Sequence, residues 1–268
     1  MATEHEPAPV KSAERTLKVI DLLAGARDGL SFTEIQTVTG WPRSSTYNLL
    51  RTLTSTGHLE FDEADHLYRI GLRLWEAGQA YVRTHDLGRT ARRYLESASK
   101  SLDETVQLAV RDGQDVVYIA KVEAHHALQL VSDIGSRLPA HATGLGKALL
   151  AWCDPEEVEL LYDGVDLAAL TAQTITDKRM LMRELRATRE RGYAIDLGEI
   201  TDGIYCIATP VFGHDGSIVA AMSTSVPEPR VDDSKRARMV TVLTEQAQQL
   251  SAAFGNGSTD EYLASRIV

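Results

Sequence analysis

The stretch GWPRSSTYNLLRTL, residues 40–53, has two arginines, a run of small hydroxyl residues and no acid, in a chain whose formal net charge is −10. Its apolar residues recur at helical spacing and predict a buried face, made of Tyr47, Leu50 and Leu53. Polar residues recur along another face at i, i+4, i+7 and i+11, namely Ser44, Asn48, Arg51 and Ser55. Such a helix suits the DNA major groove, because hydroxyl, amide and guanidinium groups can approach phosphates and base edges there.

The residues on both sides of this helix predict a winged helix-turn-helix. A helical stripe from Ser12 ends at Gly25, and Ser31 with Glu34 forms a capping box that begins a second, short helix. Gly40 ends the second helix, a few residues before the third. The segment HLEFDEADHLYRIG that follows has two short alternating runs around an acidic turn, as a β-hairpin does. Helix, short helix, tight turn, helix and hairpin is the order that this DNA-binding motif requires.

The acid-free helix supplies the candidate DNA contacts. We predict contacts from Arg43, Ser44, Ser45, Thr46, Asn48 and Arg51, with Arg69 supporting the wing. A solvated polar face on a small helical subdomain is the alternative, since such faces are common. The combination of capping box, glycine turn, proline start and hairpin favours DNA binding over that alternative.

Charge and composition separate two parts of the chain. Residues 1–85 carry 9 basic and 11 acidic residues, whereas the rest carries 19 basic and 27 acidic residues, so most of the acidity lies in the second part. The sequence has no apolar run long enough for a membrane span and no apolar leader for secretion, so we expect a cytoplasmic protein. Cys153 and Cys206 lie far apart and form neither a disulfide framework nor zinc spacing, so no metal or cofactor is expected.

The sequence pattern predicts an α+β protein with two domains. A disordered leader is expected at 1–11, the winged helix-turn-helix at 12–71, a linker helix at 72–86, an effector-binding domain at 87–254 and a flexible tail at 255–268. Leu72 and Trp75 are expected as apolar anchors of the linker helix. Beyond Asp103 short β-rich runs alternate with helical segments, which indicates a sheet with helices packed around it.

Three stretches of the second domain could carry chemistry. HATGLGKALL, residues 141–150, resembles a phosphate loop, but Ala148 stands where Ser or Thr must bind magnesium. Ser223 and Ser225 fall on one face of a strand, where they could bind a ligand or equally be an exposed strand face. The histidines and cysteines form no metal or nucleophile motif, so catalysis has no readable candidate.

Six stretches, taken in order, resemble one protein family. They are SAERTLKVIDLL, PRSSTYNLLRTL, GHLEFDEADHLYRIG, GSRLPAHATGLGKALLAW, RERGYAIDLGEITDGIYCIATPVF and AAMSTSVP. Over about residues 12–254 the chain is similar to the IclR family of bacterial transcriptional regulators. The resemblance implies an N-terminal winged helix-turn-helix and a C-terminal GAF-like domain that binds a carboxylate effector. It also implies a homodimer formed through the DNA-binding part, often acting as a dimer of dimers.

The resemblance also implies the residues of an effector pocket. These are Leu130, Gly144, Leu145, Asp196, Cys206, Ser223 and Ser225. An anionic effector beside Asp196 requires that carboxyl group to be protonated or bonded to a hydroxyl group. Asn48, Leu145 and Tyr205 differ from the residues that are common at these positions in the family. The resemblance therefore predicts neither the operator preference nor the shape of the pocket.

The predicted function is a repressor that leaves its operator when a small organic carboxylate, aromatic or aliphatic, binds the second domain. Two alternatives stay open at this point. A transcriptional activator would have the same architecture, because the sign of regulation depends on where the operator lies. An enzyme with a helical accessory domain would need a nucleophile and a base that the sequence does not display.

Overall fold

The computed structural model describes residues 10–26, 28–84, 87–124 and 132–254. It divides into two compact units, residues 1–85 and residues 86–268. The predicted leader and tail lie almost wholly outside the described residues, although the first helix begins at Lys11, one residue inside the expected leader. Among the residues described, no helix is long and apolar enough to cross a membrane.

The first unit has helices around a three-stranded antiparallel sheet. Its elements are α1 (Lys11–Ala24), β1 (Leu30–Ser31), α2 (Phe32–Thr39), α3 (Arg43–Ser55), β2 (Leu59–Asp62), β3 (Leu67–Ile70) and α4 (Leu72–Thr84). The strand order is β1-β3-β2, with the predicted hairpin forming β2 and β3. Sequence reasoning did not predict β1, which has only two residues. The core of this unit consists of Val19, Leu23, Ile35, Leu50, Leu53 and Leu59.

Local sequence signals fix the helix-turn-helix. The hydroxyl group of Ser31 accepts a hydrogen bond from the Glu34 amide, and the Glu34 carboxylate accepts one from the Ser31 amide at 2.8 Å, so the capping box is confirmed. Gly40 closes α2 with φ of +66°, a backbone conformation that glycine adopts without strain. The proline at the start of the third helix, Pro42, is the N-cap of α3.

The second unit is a six-stranded antiparallel sheet with helices on both faces. Its elements are α5 (Leu87–Leu102), β4 (Thr105–Asp112), β5 (Asp115–Val122), β6 (Arg137–Pro139), α6 (Gly144–Leu150), α7 (Pro155–Leu161), α8 (Lys178–Arg191), β7 (Ala194–Leu197), β8 (Ile204–Phe212), β9 (Ile218–Pro227) and α9 (Asp233–Ala253). The strand order is β6-β5-β4-β9-β8-β7. The edge strands β6 and β7 are short, and sequence reasoning missed both.

Two apolar layers sandwich the second sheet. On one face, α5 and α9 pack against residues such as Ile207 and Met222. On the other face, α6 and α8 pack against residues such as Ala208 and Ala221. Because side chains alternate along a strand, Ser223 points to the same face as Ala221, toward α6. The polar residues of β8 and β9 on this face therefore lie under the N-terminal end of α6.

Candidate DNA-binding face and effector cavity

The outer face of α3 is exposed and has no acid. Its exposed side chains include Arg43, Ser44, Tyr47, Asn48 and Arg51, and Ser45 is half-buried. The guanidinium of Arg43 lies 5.2 Å from the ring centre of Phe32, which holds it at the start of α3. Five of the six contacts predicted on this helix therefore lie where DNA could reach them.

Thr46 is the exception among the residues predicted to contact DNA. Its side chain is fully buried, and its hydroxyl group donates to the Pro42 carbonyl at 3.3 Å. The buried stripe of α3 is Thr46, Leu50 and Leu53, whereas Tyr47 is 54% exposed. The expectation that Tyr47 belongs to the buried face was therefore wrong by one residue, and Thr46 has a packing role instead of a place on the outer face.

Arg69 braces the wing. Its guanidinium donates to the Asp62 carboxylate at 2.6 Å and to the Asp28 carbonyl at 3.2 Å. The hydrogen bond from Arg69 holds the pKa of the Asp62 carboxyl below its ordinary value. The wing also carries exposed Glu60, Glu63 and Asp65. Arg69 thus braces the hairpin, and the surrounding carboxylates offset its attraction for phosphate.

The second unit contains a small, partly open cavity between its sheet and α6. Its volume is about 30 Å³. It is lined by Gln107, Tyr118, Ser132, Leu138, Thr143, Gly144, Leu145, Asp196, Ile200, Thr201, Ile204, Cys206, Ser223 and Ser225. The structure therefore brings together six of the seven predicted pocket residues. The seventh, Leu130, lies outside the described residues.

Strand register explains how residues far apart in sequence meet at this cavity. Asp196 of β7 is opposite Cys206 of β8, and Cys206 is opposite Ser225 of β9. The Cys206 sulfur and the Ser225 hydroxyl oxygen are 3.2 Å apart. Ser223 and Ser225 are 3% and 7% exposed, so the alternative of an exposed strand face is wrong.

Asp196 is the buried acid of the cavity. Its carboxylate accepts the Glu199 amide at 2.7 Å and also accepts the amides of Gly144 and Gly198. Burial raises the pKa of Asp196 above its ordinary value, while Lys147 and the three amides oppose that shift. The carboxyl group therefore joins the start of α6 to the turn after β7.

Sequence reasoning missed the buried ion pair of Lys147 and Glu199. The Lys147 ammonium is 1% exposed and donates to a Glu199 carboxylate oxygen. Glu199 belongs to a segment, residues 198–203, that contributes Ile200 and Thr201 to the cavity wall. The sequence did contain a signal for this pair. GLGKALL is apolar apart from its lysine and has no polar face, so a lysine there indicates a buried charge that needs an acidic partner.

Three further polar residues of the cavity wall were also missed. Gln107 of β4, Tyr118 of β5 and Ser132 are all at least 94% buried. The Gln107 amide nitrogen donates to the Ser132 hydroxyl oxygen at 2.7 Å, and Tyr118 shares a hydrogen bond with Ser132. Alternation along the two strands could have indicated the inward positions, but Ser132 follows a segment outside the described residues.

The chemistry of the cavity is hydrogen bonding rather than nucleophilic attack. Burial raises the pKa of the Cys206 thiol, so the thiol stays protonated at neutral pH. In the part of the chain that the structure describes, no group of three His, Cys, Asp or Glu residues could hold a metal ion. The described groups can bind and orient a small polar molecule.

Known proteins match both units. The IclR helix-turn-helix domain matches residues 12–63, and the C-terminal domain of the bacterial transcriptional regulator IclR matches residues 79–252. The transcriptional regulator XynR of Escherichia coli is 35% identical over 246 residues, which are 92% of this chain and 98% of XynR. The transcriptional repressor AllR of E. coli is 30% identical over 255 residues, 94% of each chain.

A solved structure gives the same result. The IclR homologue from Microbacterium hydrocarbonoxydans, complexed with 4-hydroxybenzoate, superposes with a TM-score of 0.80 at 26% identity. The match covers 91% of this chain and 98% of that chain. A winged-helix unit and a separate sheet unit with a polar cavity define a DNA-binding transcriptional regulator, a class distinct from enzymes. The chain belongs to the IclR family of bacterial transcriptional regulators.

Proposed function

We propose that this regulator is a cytoplasmic repressor that is released from its operator by a small organic acid. The observation that carries the proposal is the convergence of Gly144, Asp196, Cys206, Ser223 and Ser225 on one cavity. Small-molecule sites are concave and place a few polar groups from different elements around the ligand, as these residues are placed here. The relative crystallised with 4-hydroxybenzoate supports an acid, and the relative named as a repressor supports the sign of regulation.

Hydroxyl groups on β9 would bind the acid. Ser223 forms no hydrogen bond with another described residue through its side chain, although it is almost completely buried. The Ser223 hydroxyl group lines the cavity and can therefore donate a hydrogen bond to a ligand oxygen there. Ser225 and Thr201 add two more hydroxyl groups to the same wall.

The first unit carries exposed apolar side chains that fit a homodimer. Leu17 of α1 is 62% exposed, and Leu72 and Trp75 of α4 are each 61% exposed. The expected anchors Leu72 and Trp75 are therefore not buried within this unit. A second copy of the chain that covers these side chains would bury apolar surface. The resulting dimer would present two recognition helices to two half-sites of the operator. Two such dimers could also associate as a dimer of dimers.

Regulation would follow from linkage. An effector that binds better to one arrangement of the two heads shifts the dimer away from the arrangement that fits the operator. A transcriptional activator is the remaining alternative, because the position of the operator relative to the promoter decides whether binding represses or activates transcription.

The contacts of α3 and the wing give a sharp test of the DNA-binding face. The experiment measures fluorescence anisotropy on a duplex selected by the protein from a random library, at several salt concentrations with competitor DNA. Arg51→Ala should weaken binding and reduce the salt slope by about 0.9, as expected for one lost phosphate contact. Lys100→Gln, which changes an exposed lysine of α5 in the second unit, is the matched control and should leave the slope unchanged. Unchanged affinity and slope for Arg51→Ala would remove α3 as the DNA-reading helix.

A further inference from the structure

We infer that Gln107, Ser132 and Tyr118 form a subsite for a hydroxyl group of the effector, so that the cavity prefers hydroxy acids to keto acids. This inference rests on the proposed binding of an organic acid and adds the second polar group of that acid. None of these three residues was among the expected pocket residues. Gln107 lies on β4, Tyr118 lies on β5 and Ser132 lies just before β6. All three line the same cavity as the serines of β9.

The contacts of Gln107 fix the orientation of its amide. The nitrogen atom has two acceptors on Ser132, the hydroxyl oxygen at 2.7 Å and the backbone carbonyl at 3.4 Å. A backbone carbonyl can only accept, so the amide nitrogen, and not the amide oxygen, faces Ser132. Tyr118 also shares a hydrogen bond with Ser132. The amide oxygen of Gln107 is thereby left as an acceptor in the cavity wall.

The neighbouring strand places this acceptor beside the proposed acid-binding serines. Gln107 of β4 is directly opposite Ser223 of β9. Adjacent strands are about 4.8 Å apart, so one small molecule can form hydrogen bonds with side chains of both strands at once. An acid bound through its carboxylate to Ser223 and Ser225 can therefore reach Gln107 with a substituent two or three atoms away.

The chemistry of the acceptor selects the substituent. Gln107 is 2% exposed, so its amide oxygen has little access to water. A hydroxyl group donates to that oxygen, whereas a keto oxygen offers a second acceptor and a methylene group offers nothing. Sites that hold a buried hydrogen-bonding group reject analogues that leave that group unpaired.

Matched acids test this preference directly. Full-length protein is titrated calorimetrically with lactate, pyruvate and propionate, then with 2-hydroxybutyrate, 2-oxobutyrate and butyrate, and then with 4-hydroxybenzoate and benzoate. Short acids come first because the cavity volume is only about 30 Å³. In every series that binds, the hydroxy acid should bind at least about tenfold more tightly than its partners.

Variants assign the preference to the subsite. Gln107→Leu should reduce the discrimination to less than about twofold while the unsubstituted acid still binds, and Gln249→Leu on the exposed side of α9 is the matched control. Ser132→Ala removes the hydroxyl group that orients the Gln107 amide, so the amide can rotate. This variant should narrow the difference in affinity between hydroxy and keto acids, and it tests the subsite even if Gln107→Leu does not fold. Equal affinities within each series for the wild type would overturn the subsite and leave the acid-binding proposal standing. Binding by none of these acids would overturn both.

Discussion

The ammonium group of Lys147 and the carboxylate of Glu199 form an ion pair inside the second unit, with side chains 1% and 8% exposed. The pair joins α6 to the 198–203 segment of the cavity wall. Thr174 reinforces this link, because its hydroxyl group donates to the Glu199 carbonyl at 2.6 Å. The position of the cavity wall therefore depends on a buried charge pair.

Removing one member of this pair should be costly. Lys147→Met leaves the Glu199 carboxylate buried without its partner, and we expect a loss of roughly 3–5 kcal/mol in the free energy of unfolding. Urea unfolding followed by circular dichroism measures this loss, with the exposed Lys100→Met as the matched control. The double variant Lys147→Met/Glu199→Leu should recover part of it. A loss no larger than that of the control would contradict the structural role of the pair.

Two glycines at the start of α6 should respond differently to alanine. A Cβ at Gly146 would lie 2.1 Å from the Ala140 carbonyl oxygen, so Gly146→Ala forces the backbone apart and should lower the melting temperature strongly. A Cβ at Gly144 would lie 3.5 Å from the Cβ of Asp196 and 3.6 Å from that of Cys206, which are ordinary contacts. Gly144→Ala should therefore fold normally but narrow the cavity and weaken acid binding. Thermal unfolding and calorimetry of both variants test the contrast; unchanged acid affinity in Gly144→Ala would place the ligand elsewhere.

The buried and exposed faces of α3 give a second contrast. Thr46→Val keeps the shape of a fully buried side chain, so the affinity for DNA should stay within about twofold of wild type, although the free energy of unfolding can fall by about 1 kcal/mol. Asn48→Ala removes an exposed amide and should weaken operator binding by about 1–3 kcal/mol with little change in stability. Anisotropy titrations and thermal unfolding measure both quantities. A larger affinity loss for Thr46→Val than for Asn48→Ala would reverse the assignment of the two faces.

Binding of an acid should take up a proton. Burial raises the pKa of Asp196, and the groups that act on it or are affected by it are Lys147, Glu199, Cys206 and Tyr118. An anionic ligand beside Asp196 favours its neutral form, so affinity should fall as the pH rises through and above the raised pKa. Titrations at one pH in buffers of different ionisation enthalpy measure the uptake. Asp196→Asn should abolish it, and proton release by the wild type would contradict this account.

Sequence reasoning succeeded where local chemistry decides the structure. The Ser31–Glu34 capping box, the end of α2 at Gly40 and the hairpin turn after Asp62 were all readable, because each depends on a few neighbouring residues. The distinction between Thr46 and Tyr47 was not readable, since both lie near the edge of the apolar stripe and tertiary packing chooses between them.

The cavity residues also divide into those that the sequence predicted and those that it did not. Asp196 was expected only from resemblance to a family, whereas alternation along a strand had also indicated the two serines, and strand register brings the three residues together. Lys147 and Glu199 are 52 residues apart, so no local pattern links them. Gln107 and Ser132 are 25 residues apart, so no local pattern links them either.

An acid bound in this cavity should release the regulator from DNA. The most direct measurement is the fluorescence anisotropy of the selected, labelled duplex bound to full-length protein, titrated with the tightest-binding acid and repeated with Gly144→Ala. We predict that anisotropy falls to that of free DNA for the wild type, and that the variant requires a much higher acid concentration. An acid that binds by calorimetry yet leaves the anisotropy unchanged, or raises it, would contradict the claim.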